Sequence, residues 1–574
     1  MKKTFTFFIF TFYLAISFSQ LQYEENRYRE AIFNQVTVQN NVQYGNAPQW
    51  VWPYWTENLI MDVYSPTGDV INKRPLIIFT HAGGFLNGSR GVDNMVAICD
   101  SFARKGYVTA TLDYRKGFNP LDTESAERAV YRGIQDGKAA VRYFKQNALL
   151  YGIDTNYVYF GGMSAGGFIA LHVGYMDLES ERPASTYGGG TVNNLGCLDC
   201  AGNNSTKSSK VRAILNYWGA IQDTTNIVAG DIPILNMHGT DDPTVPFEYG
   251  QPFGLFTLPY VYGSRPIHHR MQNLGIYSEF YTSNRAGAHM LDGSDNGTFS
   301  GSSPNSFWYD TLLPRTTDFL VKMTKSTPTK VSPDTIRICN GTVASFEVNG
   351  SPISYYRWYY DNSSVSSSVN TNSRVLSLNF NTSGSYNVGV VEFNEVFCSS
   401  DTLWFHVIQH PPVTPDFNHT IANYTNVTFT NNSSIITSNT WDFGDGTTST
   451  DINPQHNYTQ NGTYNVTLSV VDNSGCTGTI TKQVVIQHLS INDIDKFNVE
   501  VYPNPFEDAI QIANSENEQL SFEVVDVTGK IVLSDRNIEP NSIVLIHTSE
   551  WNNGLYFVNI YNSKGEVSVV KVNK

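Results

Sequence analysis

Gly162-Met163-Ser164-Ala165-Gly166 lies where an apolar strand run, Tyr157–Phe160, gives way to a helical pattern over Gly166–Tyr175. A strand can pass into a helix over so few residues only through a tight, strained turn, and small residues around the serine permit one. Such a turn lifts the Ser164 hydroxyl above the edge of a sheet. The N-terminus of the following helix adds positive potential beneath it.

The text around this turn has the same rhythm. From about Val36 to Lys325, strand and helix patterns alternate. Arg74-Pro75 opens the apolar run Leu76–Phe79, and Val108–Leu112 is a second buried strand. A helix from about Glu124 to Leu150 sets Val130, Ile134, Val141 and Phe144 on one face. Further strands are expected at Val211–Tyr217, Ile232–Met237 and Tyr277–Tyr281. Alternation of this kind predicts an α/β domain with a mostly parallel sheet and helices on both faces. After Lys325 the helical patterns stop. Ser326-Thr327-Pro328 and Ser332-Pro333 mark a linker, and short strands with Asn, Gly and Ser turns follow, the pattern of all-β sandwiches. Pro411-Pro412 and a segment near Gln487–Lys496 divide that region into three modules. The expected division is residues 1–19, 21–326, 331–409, 412–488 and 497–574.

The first of these segments reads as a secretory signal peptide. Lys2 and Lys3 precede an apolar run from Phe5 to Phe18, and Ser17-Phe18-Ser19 provides small residues for cleavage before Gln20. The net charge, 37 − 52 = −15, argues against nucleic acid or an anionic membrane as the main partner. Export also permits disulfides. Cys197-Leu198-Asp199-Cys200 is expected to close a small loop rather than hold zinc, because no second pair stands at metal spacing. Cys339 and Cys398 flank a strand-rich stretch containing Trp358 and are expected to form a bridge; Cys99 sits on a helical pattern and is expected to be a buried thiol.

A serine hydroxyl is a poor nucleophile until a base and a group orienting that base join it. On this kind of sheet the chain order is serine, acid, histidine. The strand Ile232–Met237 runs into His238-Gly239-Thr240-Asp241-Asp242-Pro243-Thr244-Val245-Pro246, so Asp241 and Asp242 compete for the acid. For the base, Arg285-Ala286-Gly287-Ala288-His289-Met290 follows the last strand and lets His289 swing toward Ser164. His268 and His269 precede that strand in an aromatic loop and suit surface or substrate contacts; His172 falls within a helix and suits a structural role. His81-Ala82-Gly83-Gly84-Phe85 follows the strand Leu76–Phe79, where backbone donors for an oxyanion belong. The amides of Gly83, Gly84 and Ala165 are the candidates. Neither a metal nor an organic cofactor is called for.

Together, His81–Phe85, Gly162–Gly166, His238–Pro246 and Gly287–His289 resemble the α/β-hydrolase superfamily, in particular carboxylesterases related to hormone-sensitive lipase and to the feruloyl-esterase-like group. The resemblance covers roughly Val36 to Lys325. It implies that Asp242 is the acid, by its place in the His-Gly-x-x-Asp-x-x-Val-Pro pattern. Ala82 departs from the His-Gly-Gly-Gly form but leaves both donor glycines in place. Trp441-Asp442-Phe443-Gly444-Asp445-Gly446 with Gly462-Thr463-Tyr464-Asn465-Val466 is similar to a PKD domain, an immunoglobulin-like sandwich, and the module before it resembles another. Val501-Tyr502-Pro503-Asn504-Pro505-Phe506, Asp526-Val527-Thr528-Gly529-Lys530 and Asn553-Gly554-Leu555-Tyr556-Phe557 resemble the C-terminal sorting domain of type IX secretion substrates. These resemblances imply a secreted or cell-surface serine carboxylesterase. Its partners would be the secretion machinery and a small or polysaccharide-linked ester such as an acetyl or feruloyl ester; the β modules would either contact carbohydrate or, as the better-supported reading, merely space the domains. A serine peptidase of the same fold and an inactive surface adhesin are the alternatives. Trp50, Trp52, Trp55, Phe253, Phe256, Tyr260 and Tyr262 suit a substrate pocket or a core equally well.

Overall fold

Eight strands form the sheet of the N-terminal unit: β1 (Val36–Pro48), β2 (Thr56–Pro66), β3 (Arg74–Thr80), β4 (Val108–Leu112), β5 (Ile153–Met163), β6 (Ala213–Tyr217), β7 (Ile234–Gly239) and β8 (Ser278–Ser283). Their spatial order is β1-β2-β4-β3-β5-β6-β7-β8. The computed structural model describes residues 24–49, 54–189, 193–284, 287–295, 297–299, 304–362, 365–380, 382–434, 436–487 and 497–574. The signal-peptide expectation and Trp50, Trp52, Arg285 and Ala286 fall outside the described residues.

From β4 to β8 every neighbour is parallel, whereas β1 and β2 form an antiparallel ribbon joined antiparallel to β4. The strands send successive side chains to opposite faces. Leu76, Ile78, Val158 and Phe160 enter one core with helices α2 (Thr123–Gln146), α3 (Ala165–Tyr175) and α4 (Ser264–Asn273). Ile77, Phe79, Tyr159 and Met163 enter the other, with α1 (Asp93–Arg104) and α5 (Leu313–Thr324). Two-sided burial is why these strands read as unbroken apolar runs.

The expected helix Glu124–Leu150 is shorter at its C-terminus. Asp122 caps it by accepting from the amides of Glu124 and Ser125 at 3.0 and 3.3 Å. Asn147 leaves helical geometry, and a single turn, Ala148–Tyr151, ends on left-handed Gly152. His268 and His269 lie on α4 rather than in a loop.

Beyond α5 a three-stranded and a five-stranded sheet enclose a core around Phe346, Trp358 and Phe405. The turn at 394–398 packs against the α/β unit. Tyr28 donates to the Val396 carbonyl at 2.7 Å, and Asn394 to that of Thr324 at 2.6 Å. This contact overturns the expected Cys339–Cys398 bridge: Cys398 is a free thiol, buried in the same core as Tyr28 and Tyr107. Cys197 and Cys200 are joined as expected. Their loop is tied to α2, where Gln135 Nε2 reaches the Cys197 carbonyl at 2.9 Å and Arg142 pairs with Asp199. Cys99 is a buried free thiol.

Residues 412–574 form a separate compact unit. It holds two all-β sandwiches, each of a three-stranded and a four-stranded sheet. One is built on Phe417, Phe429 and Trp441, the other on Phe506, Ile512, Phe522 and Val558. The architecture is thus an α/β unit followed by three β modules. Among the described residues no helix is long and apolar enough to cross a membrane.

Candidate active site

The turn after β5 is strained as its sequence demands. Ser164 has φ 52° and ψ −117°, a region L-residues avoid unless the surroundings hold them there. Three bonds supply that hold. The Ser164 amide donates to the Tyr217 carbonyl at 2.9 Å, and its own carbonyl accepts from the Phe168 amide at 3.1 Å. Thr80 Oγ1 reaches the Gly166 carbonyl at 2.9 Å. A β-carbon on Gly162 would overlap the Gly166 carbonyl, and one on Gly166 would overlap the Thr80 carbonyl. Both glycines are therefore required by closeness of backbone, not by freedom of φ.

The C-terminal ends of β5, β7 and β8 bring three distant residues together. His289 Nε2 is 2.7 Å from Ser164 Oγ, and its Nδ1 is 2.7 Å from Asp242 Oδ2. Ser164 is 5% exposed, and the Asp242 side chain is fully buried. Asp242 Oδ1 accepts from the amides of Thr244 and Val245 at 2.8 and 3.0 Å. Burial alone would raise the Asp242 pKa, but hydrogen bonds from His238 and His289 override it and hold the carboxyl well below the ordinary range. The competing Asp241 is exposed. The His289 loop is anchored three residues on, where buried Asp292 accepts from Asn94 Nδ2 at 3.1 Å and Ser294 Oγ at 2.7 Å.

The candidate oxyanion donors come from the β3 and β5 turns. Gly83 has φ +130° and Gly84 φ +59°, and the Gly83 carbonyl accepts from Leu86 and Asn87 amides at 3.0 and 2.9 Å. Gly84, Ala165 and Ser164 line one cavity together; Gly83, Gly84, Ser164 and His289 line a second. His81 stays out of both. It is fully buried, stacked on Tyr114 at 4.4 Å, and its Nδ1 donates to the Ala82 carbonyl at 2.6 Å. Burial pushes its pKa down to about 4, so it braces the loop as an uncharged ring.

The two cavities differ in character. The first, about 70 Å³, is narrow and almost wholly apolar, walled by Phe85, Phe168, Val245 and Val261. It ends at Glu127, His172 and Gln222, where Gln222 Nε2 donates to Glu127 Oε1 at 2.9 Å. The second, about 610 Å³, is an open groove on the His289 side, bordered by Leu86, Asn87, Phe253, Leu255 and Ser294. Of the aromatic residues singled out in the sequence, Phe253 borders both cavities. Tyr260 stacks on Tyr249 at 5.1 Å, Tyr262 packs against the same ring, and Trp55 and Phe256 are 71% and 85% exposed. Tyr262 is half-buried and packs against the core, whereas Trp55, Phe253, Phe256 and Tyr260 are exposed. His172 is buried, its Nδ1 donating to the Phe168 carbonyl at 2.8 Å, and His268 Nδ1 lies 2.8 Å from Ser278 Oγ. His238, which the sequence offers only as part of the motif around the acid, and Ser264 and Asn216, which it does not single out, stand fully buried behind Asp242.

Residues 61–226 match the BD-FAE family, residues 409–487 the PKD domain, and residues 500–573 the secretion system C-terminal sorting domain. Residues 61–226 thus carry an esterase-like α/β-hydrolase domain. This hydrolase match includes Ser164 and stops before Asp242 and His289. Among curated relatives, carboxylesterase 3B of Mus musculus is 35% identical over 124 residues, 21% of this chain and 21% of that protein. Esterase LipC of Mycobacterium tuberculosis is 22% identical over 213 residues, 34% of this chain and 51% of that one. A microbial collagenase of Vibrio alginolyticus is 55% identical over 53 residues, 9% of this chain and 6% of its own length. The chain thus spans about half or less of each of these relatives. A propionate-bound esterase of Thermogutta terrifontis aligns over 51% of this chain and 95% of its own, at 22% identity and a TM-score of 0.35. The hydrolase unit is therefore followed by a PKD domain and a sorting tail that marks an exported protein, delivered to the cell surface or beyond.

Proposed function

We propose that this protein is a secreted serine carboxylesterase working through Ser164, His289 and Asp242. The observation that carries the proposal is the unbroken contact from Ser164 Oγ through the His289 ring to Asp242, each step 2.7 Å. In this mechanism His289 Nε2 takes the Ser164 proton as the oxygen attacks an ester carbonyl. Asp242 keeps the other ring proton on Nδ1 and stabilises the imidazolium. Amides of Gly83, Gly84 and Ala165 hold the oxyanion, a contribution of about 3 kcal/mol per donor. His289 returns the proton to the departing alcohol, and water then repeats the sequence on the acyl-enzyme.

The two cavities divide the ester. The narrow apolar pocket takes the acyl group, and its closure at Glu127 and Gln222 favours a short acyl such as acetyl over feruloyl. The open groove beside His289, with Asn87, Ser294 and Asp295 on its border, suits a bulky hydroxylated alcohol such as a sugar of a polysaccharide. The domain division proposed is residues 21–326 for the hydrolase, 331–409 for an immunoglobulin-like module, 412–488 for the PKD domain and 497–574 for the tail, which is proposed to engage the type IX machinery.

The test is hydrolysis of p-nitrophenyl acetate by the purified protein. Wild type is expected to turn it over and S164A to be inactive. Turnover unaffected by S164A contradicts the proposal, and preference for peptide amides over esters replaces it with a peptidase.

A further inference from the structure

Behind Asp242 lies a buried polar chain that leads away from the nucleophile. His238 Nε2 faces two acceptors, the Val245 carbonyl at 3.2 Å and Asp242 Oδ2 at 3.3 Å, so that nitrogen carries a proton. His238 Nδ1 is 2.8 Å from Ser264 Oγ, and with its proton elsewhere it accepts the serine hydroxyl. Ser264 Oγ in turn accepts from Asn216 Nδ2 at 3.1 Å. Asn216 is itself fixed: its Nδ2 reaches Asn236 Oδ1 at 2.9 Å, and its Oδ1 accepts from the Gly219 amide at 3.0 Å. His238, Ser264, Asn216 and Asn236 are all fully buried.

We infer that His238 is a positioning residue for catalysis, an N–H donor that shares Asp242 Oδ2 with His289 and so sets how strongly that carboxylate holds the catalytic imidazole. The inference rests on the proposed esterase reading. Four N–H groups face Asp242: two backbone amides on Oδ1, His289 on Oδ2, and, 3.3 Å from that same oxygen, the His238 Nε2–H that also meets the Val245 carbonyl. A carboxylate so surrounded has one orientation, and its charge is spread over several partners. Ser264 and Asn216 contribute by fixing the ring's tautomer, since a proton on Nδ1 alone would leave Nε2 facing two acceptors with nothing to give. Asp242 is the titratable group in contact with His238, and His289 acts through it. Asp241 is exposed, and on α4 Arg265 is paired with Glu248. The Phe247 ring meets His238 edge-on at 5.7 Å, so an apolar wall closes that side.

Substitution separates this role from packing. H238F keeps a ring of similar bulk and removes both nitrogens, whereas H238Q keeps an N–H donor near the position of Nε2. The hydrogen bond to a charged acceptor leads us to expect that H238F lowers kcat about tenfold or more, with KM within about twofold. The acidic limb of its kcat/KM profile is expected to move up by roughly half a pH unit, because Asp242 without this donor pairs more strongly with His289. H238Q is expected to recover most of kcat and the wild-type limb. S264A, a small change remote from Ser164, is expected to shift the limb in the same direction by less. An H238F enzyme that melts like wild type with an unmoved limb, or equal losses in H238F and H238Q, overturns the inference. Should H238F fail to fold, S264A decides: an unmoved limb there overturns it. Absence of Ser164-dependent hydrolysis in the wild type would instead overturn the esterase reading on which the inference stands.

Discussion

Gly166 and Thr80 are so close that a β-carbon on the glycine would occupy the space of the Thr80 carbonyl oxygen. The contact joins the first turn of α3 to the end of β3, and it fixes the height at which Ser164 stands above the sheet. Because the obstacle is backbone, no rotamer change relieves it. G166A is expected to destabilise the fold by about 2–3 kcal/mol, as overpacking in a rigid core does, and to lower activity in the fraction that folds. Urea denaturation and the specific activity of the folded fraction check both.

Asp242 has a depressed pKa in the folded protein, so its contribution is present above the unfolded-chain value, near 3.9, and is lost as pH falls through the lower folded value. D242N is therefore expected to cost stability at pH 7, and the deficit is expected to narrow below about pH 4. Urea midpoints of the two proteins from pH 7 to pH 3 measure this. At pH 7 the same variant is expected to lose about 10⁴ in kcat, because an amide cannot hold the required His289 tautomer.

The Glu127–Gln222 contact ends the apolar pocket and also borders a polar cavity on its far side, together with Leu258 and Pro259. Removing part of this partition should join the two spaces. Wild type is expected to favour p-nitrophenyl acetate over the octanoate by about tenfold or more in kcat/KM, and Q222A to narrow that ratio. Each methylene admitted to apolar surroundings contributes about 0.8 kcal/mol. A chain-length series from acetate to octanoate on both proteins reads the change directly.

Cys398 is enclosed where the first β module meets the hydrolase unit, and burial pushes its thiol up to about 12. Cys99 is displaced upward for the same reason. Neither is expected to react with iodoacetamide at pH 8 in the folded protein, and both are expected to react in urea, since the thiolate is the reactive form. Peptide mapping of alkylated cysteines distinguishes the two states.

Much of the hydrolase unit is legible in local pattern. Val108–Leu112 has the predicted bounds because it is buried on both faces and flanked by a turn. The Gly162 and Gly166 positions are legible because small residues at that spacing have one steric use. Strand β1 is not, since Val36–Pro48 is mostly exposed and polar. Asp241 and Asp242 are equivalent as neighbouring carboxylates; the motif resemblance singles out Asp242, and in the fold it is Asp242 that meets His289 and the amides of Thr244 and Val245. His238 carries no local sign of its partners because Ser264 and Asn216 come from α4 and β6. The pairing of Cys398 is not legible, because two cysteines flanking a strand-rich stretch say nothing of which face each occupies.

The most direct test maps the site of covalent reaction. Treated with a fluorophosphonate and digested, the wild-type protein is expected to carry one adduct, on the peptide containing Ser164, and H289A to carry almost none. An adduct on another residue, or equal labelling of Ser164 without His289, would contradict the account.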